Sequence, residues 1–136
     1  MVQELEDRWI LGLRDARVTD LAWGSDLVVT LEPEADIRLS LNALLSKGLL
    51  GAAGVVPVPL ADAADADLHG IEGSKVLSAV AFKNGTLRVV FSSGHHLTLP
   101  AEQHGAHARV RSDSDGFRFV RDDATVRMDR TDRAAG

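Results

Sequence analysis

The stretch Thr86-Leu-Arg-Val-Val-Phe-Ser-Ser-Gly-His-His-Leu-Thr-Leu99 decides the fold, because it has the pattern of two strands joined by a tight turn. Its first strand places Leu87, Val89 and Phe91 on one parity, and its second places Leu97 and Leu99 on one parity. A period of two is typical of strands with one buried face. The stretch therefore predicts an antiparallel hairpin, with its turn at Ser93-Gly94.

The same pattern occurs sixty residues earlier in the chain. The aligned apolar positions there are Leu27, Val29, Leu31, Ile37 and Leu39. The segment 12–18 also resembles 70–76, which predicts an internal repeat of about 12–40 and 70–99. Each copy predicts an antiparallel three-stranded meander, and neither can cover its own apolar face. We expect a mainly β (α+β) fold in which the two meanders pack as a sandwich or a partly open barrel.

The remaining segments follow from their turn residues and periodicity. Asn84-Gly85 predicts a type I′ hairpin within the second copy. In the linker between the copies, 41–46 predicts a short helix ending at Gly48, and 60–71 predicts a second one with its Asp residues in water. Pro57 and Pro59 make 49–59 an extended, apolar loop.

Two further predictions concern the ends of the chain. Arg109–Arg111, the turn 112–116 and Phe117–Arg121 predict an additional hairpin, followed by a short strand over 125–128. We expect a flexible arm over 1–8, one globular domain over 9–128 and a disordered tail over 129–136.

Composition excludes several classes of protein. The chain has no Cys, which removes disulfides and thiolate chemistry, and its net charge is −5. Its N-terminus is acidic where a signal peptide is basic, and no apolar run has the length of a membrane span. We therefore expect a cytoplasmic protein that binds neither nucleic acid nor membranes.

Four groups of residues are candidates for chemistry. His95, beside His96, could join His104 and His107 as metal ligands. The alternative is that these are surface histidines near a turn. Asp62, Asp65 and Asp67 lack the spacing of an EF-hand calcium loop, and a Ser, His and Asp triad using Ser92 or Ser93 lacks a nucleophile elbow. The candidates for anion binding are Arg109, Arg111, Arg118 and Arg121, against the reading of a solvated sheet face. We predict no catalytic residue and no cofactor.

The order of these features resembles an actinobacterial family of small two-repeat β domains of unknown function. The features are the glycine lead-in, hairpin, helical linker, second lead-in and hairpin, Leu99-Pro100, and the closing segment Asp115-Gly-Phe-Arg-Phe-Val120, within about 9–121. At 104–107 the chain has His-Gly-Ala-His instead of the aromatic, acidic, Ala and Trp cluster found in that family. The resemblance implies a compact β-rich domain and carries over no site residue.

Two classes of function remain. The first is a non-enzymatic binding or protein-interaction domain whose partner is another protein or a second copy, with 49–59 as a contact surface or, in the plainer reading, a loop covering the core. The second is a small-molecule or metal-binding protein, or an enzyme, with a site between the half-sheets near the histidines. A filled core with an exposed apolar strip would favour the first, and a deep pocket with buried ionisable groups the second.

Overall fold

A computed structural model describes residues 2–49 and 51–130 of the chain. These residues form strands and two short helical segments, a 3₁₀ turn at Leu60–Asp62 and a helix α1 at Asp65–His69. The strands are β1 Gln3–Glu4, β2 Arg8–Ile10, β3 Arg17–Trp23, β4 Asp26–Glu32, β5 Ala35–Ser40, β6 Leu44–Lys47, β7 Val58–Pro59, β8 Val76–Phe82, β9 Leu87–Phe91, β10 His95–Leu99, β11 His107–Ser112, β12 Phe117–Asp122 and β13 Thr125–Arg130.

The strands form two open antiparallel sheets. One has the order β1-β2-β8-β9-β10-β6-β7 and the other the order β13-β12-β11-β5-β4-β3. The predicted meanders are β3-β4-β5 and β8-β9-β10, one in each sheet. The prediction of a mainly β fold with two similar meanders is confirmed, and the sheets form a sandwich rather than a closed barrel.

The two meanders match in register as well as in order. Val18 pairs with Leu31 in the first, and Val76 pairs with Phe91 in the second. Each register then shifts at the next residue of the first strand of the meander, at Thr19 and at Leu77, which gives both meanders a β-bulge at the same place. The two meanders therefore share both the alternation of buried residues and the position of the β-bulge.

The turn of the second meander differs from the prediction. The Phe82 N–H donates to the Thr86 carbonyl at 2.7 Å, so the loop has three residues. Gly85 has a φ of 108°, whereas Asn84 does not have the positive φ that a type I′ turn requires. The Asn84 Oδ1 accepts a hydrogen bond from the Thr86 N–H at 3.0 Å. This local bond from the side chain to the backbone favours the longer loop, and the type I′ prediction was wrong.

Reciprocal hydrogen bonds join the segments that precede the two meanders. The bonds run from Val18 N to Ser74 O, from Val76 N to Ala16 O, from Gly73 N to Val18 O and from Asp15 N to Val76 O, each 2.8 Å long. The four bonds form two pairs. Replacing each residue of one bond by its equivalent 58 positions away, the spacing between Gly12 and Gly70, gives the other bond of the pair. Such reciprocity is what a two-fold axis produces. An approximate axis therefore passes between Arg17 and Lys75, which form a bridge.

Each half of the chain also supplies its next strand to the sheet of the other half. β6 follows β5 but pairs with β10, and β11 follows β10 but pairs with β5. Leu45 of β6 lies opposite Leu97, and Val110 of β11 lies opposite Ile37, the position equivalent to Leu97. Neither meander can therefore leave the other without breaking a strand ladder.

The core lies between the two sheets and is filled by the apolar positions of the repeated pattern. All of them are 3% exposed or less: Leu27, Val29, Leu31, Ile37, Leu39, Leu87, Val89, Phe91, Leu97 and Leu99. Burial of each such side chain contributes about 1.5–3 kcal/mol. The face that the sequence predicted to be buried is the face that is buried.

Several predicted boundaries change. The helix predicted over 41–46 is absent, because Leu44–Lys47 pairs with the open edge of β10, and this tertiary pairing outweighs a short local signal. The second predicted helix is only α1, preceded by the 3₁₀ turn. The C-terminal hairpin is present as β11 and β12, with β13 beside it.

Strand pairing extends into the predicted arm and tail. Gln3–Glu4 pairs with β2, and Asp129 and Arg130 pair with β12, so strand hydrogen bonds order residues that were assigned to the arm and the tail. The rest of the predicted tail, 131–136, lies outside the described residues. In the described part of the chain, no helix is long and apolar enough to cross a membrane.

Candidate functional site

A cleft of about 410 Å³ lies at the edge of the seven-stranded sheet, where the linker passes β6 and β10. One wall is the apolar segment 54–58, and the other is formed by 62–67, from the end of the 3₁₀ turn into α1. The apolar lining is Leu45, Val55, Val56, Val58, Ala63 and Ala64. The volume and the aliphatic lining suit a ligand group of the size of a side chain or a small molecule.

The segment that forms the outer wall is exposed. Val56 is 75% exposed and Leu49, at the start of the same segment, is 53% exposed. Pro57 and Pro59 prevent a helix here, and the backbone of 51–57 forms no strand. None of residues 51–59 is buried, so the reading of this segment as a loop that covers the core is wrong.

His95 is the buried ionisable group of the cleft. It is the first residue of β10, lies opposite Lys47 of β6, and is 4% exposed. The turn at Gly94, with a φ of 92°, brings the Ser93 hydroxyl to 2.8 Å from the His95 Nδ1. The His95 Nε2 has no hydrogen-bond partner among the described residues. A buried polar atom without a partner is uncommon, so this nitrogen is a candidate ligand contact.

Charged groups around the cleft set the protonation of this imidazole. Burial lowers the pKa of His95 below its ordinary value, Lys47 lowers it further, and Asp67 acts in the opposite direction. The Asp67 Oδ1 lies 4.0 Å from the His95 Nε2, and the Asp67 side chain is 54% exposed. At neutral pH the cleft therefore holds a neutral imidazole, with Asp62, Asp67 and Lys47 at its rim.

The three histidines predicted as metal ligands do not come together. His107 lies on β11, in the other sheet, where its Nε2 is 2.7 Å from the Asp26 Oδ1. The His104 carbonyl accepts a hydrogen bond from the Asn42 amide. In residues 2–49 and 51–130, no group of three His, Asp or Glu side chains could hold a metal ion. The structure thus gives the predicted metal site no geometric support.

The arginine candidates divide between two faces. Arg109, Arg111 and Arg118 lie on the outer face of the six-stranded sheet, and Arg111 pairs with Asp36 at 2.7 Å. Arg121 points the other way and is 2% exposed. Its donors are bound by the carbonyls of Gly85, Pro100, Ala101, Gln103 and Asp123, at 2.7–3.0 Å.

Arg121 is therefore not available to an anion. A guanidinium has five N–H donors, and the five bonds to carbonyls use all of them. Burial lowers its pKa, while Asp123 and Glu102 oppose that change. The sequence alternation of β12 could have predicted that Arg121 is buried, because Arg121 lies on the same face of the strand as Phe117 and Phe119.

The sequence alone identified residues of the cleft but did not predict that they lie together. It selected the apolar segment 49–59 and His95 separately, and it placed a possible pocket between the half-sheets. The core fills that space, and the cleft forms instead at the sheet edge. The strand at Leu44–Lys47 brings these components together, because it pairs with β10 and so places the linker beside His95. The sequence had predicted a helix there.

Comparison with known proteins identifies a family. Residues 9–108 match DUF6188, a family of unknown function. The matched range contains both meanders and every residue of the cleft, and it ends before β12 and β13. No curated protein and no solved structure matches the chain. Because the match covers most of the sequence, the chain belongs to the DUF6188 family.

Proposed function

We propose that this domain is a non-enzymatic binding module that recognises a protein partner at the cleft. The observation that carries the proposal is the apolar segment 54–58, which walls the cleft while Val56 remains 75% exposed. Large apolar side chains left in water beside a cavity usually mark a contact surface. The partner would insert an aliphatic side chain between this segment and 62–67.

The charge at the rim indicates the sequence around that side chain. Asp62 and Asp67 line the cleft, and Asp65 lies exposed between them in the chain. Lys47 is the basic residue of the lining. The excess of negative charge favours a partner with Lys or Arg next to its aliphatic residue.

The same charges disfavour a second copy of this chain as the occupant. A two-fold interface brings the same patch of both subunits together, so the two acidic rims would approach each other. We therefore expect this face to bind a different protein, and we expect the isolated domain to stay monomeric through it.

A hydrolase is the competing function, because the His95 ring lies between the Ser93 hydroxyl and the Asp67 carboxylate, as the histidine of a catalytic triad does. The Ser93 Oγ is 2.8 Å from Nδ1, but Asp67 is 4.0 Å from Nε2, too far for a hydrogen bond that would orient the ring. Ser93 is two residues from His95 and is not among the residues that line the cleft. A substrate there would meet Nε2 and not the hydroxyl. The short-range bond is typical of a serine turn.

The experiment is a binding assay with fluorescently labelled short peptides. The set has a central Leu flanked by Lys, a central Ala flanked by Lys, and a central Leu flanked by Glu. We expect the first to bind best, and we expect Val56→Asp to weaken it at least about tenfold, because a carboxylate replaces the apolar wall.

The matched control is Leu77→Asp, which also places a carboxylate at an exposed apolar residue, 48% exposed and on β8 away from the cleft. It should leave peptide affinity unchanged. Equal binding by the Val56→Asp variant, or equal binding of the Glu-flanked peptide, would refute the proposal.

A further inference from the structure

We propose that the cleft selects a neutral carbonyl oxygen next to the aliphatic group, and that the His95 Nε2–H donates the hydrogen bond that selects it. This inference rests on the proposed function and names the chemistry of its ligand. The site reads a peptide carbonyl that follows a branched aliphatic side chain, rather than a carboxylate or a hydrogen-bond donor.

The first step is the position of the unpaired nitrogen. The His95 Nε2 is buried and has no partner within the described part of the chain, whereas Nδ1 is occupied by Ser93. Asp67 lies across Nε2 without bonding it, and its carboxylate is half exposed. A turn of this exposed side chain opens Nε2 to the cleft that both residues line. A ligand atom can then provide the partner that the protein does not.

The second step assigns the proton. The Ser93 Oγ accepts a bond from the His95 backbone N–H at 3.5 Å, which leaves its own hydrogen free to point at Nδ1. An imidazole that accepts at Nδ1 carries its proton on Nε2. The Asp67 carboxylate 4.0 Å away favours the same tautomer electrostatically. Nε2 is therefore a donor, and the ligand must supply an acceptor.

The third step concerns ligand charge. Asp62 and Asp67 face the cleft against Lys47 alone, so an anionic acceptor would meet net repulsion. An amide carbonyl is a strong acceptor without charge. It also suits a cleft whose remaining lining is aliphatic.

The fourth step compares the two halves of the chain. His95 is equivalent to Ala35, and both residues begin the third strand of their meander with 4% exposure. The frame therefore accepts a methyl group at this position, and packing alone does not require an imidazole. On the other side of the ring, a side-chain carbon added at Gly70 would lie 3.1 Å from the His95 Cε1. The absence of a side chain at Gly70 makes room for the ring.

The tautomer is tested first, by nitrogen-15 NMR of the histidine-labelled protein at neutral pH. We expect a neutral His95 ring with its proton on Nε2. When the Lys-flanked Leu peptide is added, the resonance of this proton should move downfield and exchange more slowly with water. A proton on Nδ1, or an Nε2–H unaffected by a peptide that binds, would overturn the inference.

The ligand acceptor is tested with a matched peptide in which the carbonyl after Leu is replaced by the weaker acceptor thiocarbonyl. Wild-type protein should bind it about tenfold more weakly, the effect of one lost hydrogen bond. His95→Ala should bind both peptides equally and weakly. His95→Gln, which retains a donor amide, should restore part of the preference.

The outcomes separate the two proposals. If both peptides bind wild-type protein equally and His95→Ala changes nothing, the carbonyl inference fails while the binding module stands. If neither peptide binds, the proposed function fails and this inference fails with it. Chemical unfolding of each variant confirms that a loss of binding does not come from a loss of fold.

Discussion

The two halves of the molecule share a frame and differ in how the chain crosses between the sheets. After β5 the chain crosses in the three residues 41–43, and after β10 it takes the seven residues 100–106. Beyond the crossing, β6 leads into the linker that builds the cleft, whereas β11 leads into β12 and β13. The matched parts supply the core and the reciprocal ladders. The unmatched parts supply Arg121 and the linker wall of the cleft, so we expect binding to depend on the linker and stability to depend on the core and on Arg121.

The two crossings are held by different means. In the short one, the Leu41 and Ala43 carbonyls accept hydrogen bonds from backbone N–H groups of the linker, at 61 and 60, so backbone alone satisfies them. The long one leaves the carbonyls of Pro100, Ala101 and Gln103 pointing inward, where Arg121 binds them. A longer crossing therefore needs a buried cation that the shorter one does not.

The largest expected effect is at this cation. Arg121→Leu removes all five hydrogen bonds of the buried guanidinium, including those to the Pro100, Ala101 and Gln103 carbonyls of the long crossing, and we expect a loss of about 4 kcal/mol in the free energy of unfolding. Urea denaturation measures it.

Arg118→Leu is the control for the loss of an arginine from the same strand. Its side chain is exposed on the outer face, and no hydrogen bond or ion pair holds it within the described residues. It should change stability by about 0.5 kcal/mol or less. Similar losses in the two variants would show that the long crossing does not depend on Arg121.

The next effect tests the equivalence of the halves. Leu27 and Leu87 occupy matched positions of the two meanders and are 0% and 1% exposed. Leu27→Ala and Leu87→Ala should each cost about 3 kcal/mol, because each leaves a cavity in a packed core. The two losses should agree within about 1 kcal/mol in urea denaturation. A much smaller cost in one half would mean that the core rests on the other half alone.

The sequence predicted the parts of the fold that depend on periodicity. The alternation of Leu27, Val29 and Leu31, and its recurrence near the C-terminal end, was enough for two meanders and a shared core. The hairpin at 109–121 followed from its turn residues in the same way. These signals are local and repeated, so they survive tertiary packing.

The exchanged strand and the cleft could not be predicted, because they depend on contacts distant in sequence. Leu44–Lys47 is short and has no period of two, and it becomes a strand only where β10 offers an open edge. His95 gave no signal that distinguished it from His96 until β10 was placed against β6 and α1. Arg121 looked like its neighbours until the face of β12 was fixed.

The smallest expected effect is the pH dependence that His95 adds to the second half and that Ala35 cannot add to the first. Burial lowers the pKa of folded His95 below 6.5, the ordinary value that applies in the unfolded chain. The unfolded state therefore binds more protons as the pH falls through 6.5. Wild-type protein should lose free energy of unfolding in this window, and His95→Ala should lose less.

His96 provides the control for this slope. Its pKa is also lowered, by burial and by Arg88, and it remains in the His95→Ala variant, so part of the dependence should persist. At pH 7.5, His95→Ala should change stability by about 1 kcal/mol or less, because the matched position tolerates Ala. Identical pH slopes in the variant and the wild type would contradict a neutral, buried His95.

The most direct test of the account is an amide NMR titration with the Lys-flanked Leu peptide. We expect shifts at Lys47, His95, 54–58 and 62–67, and none at Ala35 or on the arginine face around Arg109 and Arg118. Shifts centred on that face, or on the matched frame of the first half, would contradict the claim that binding belongs to the linker and the adjoining ends of β6 and β10.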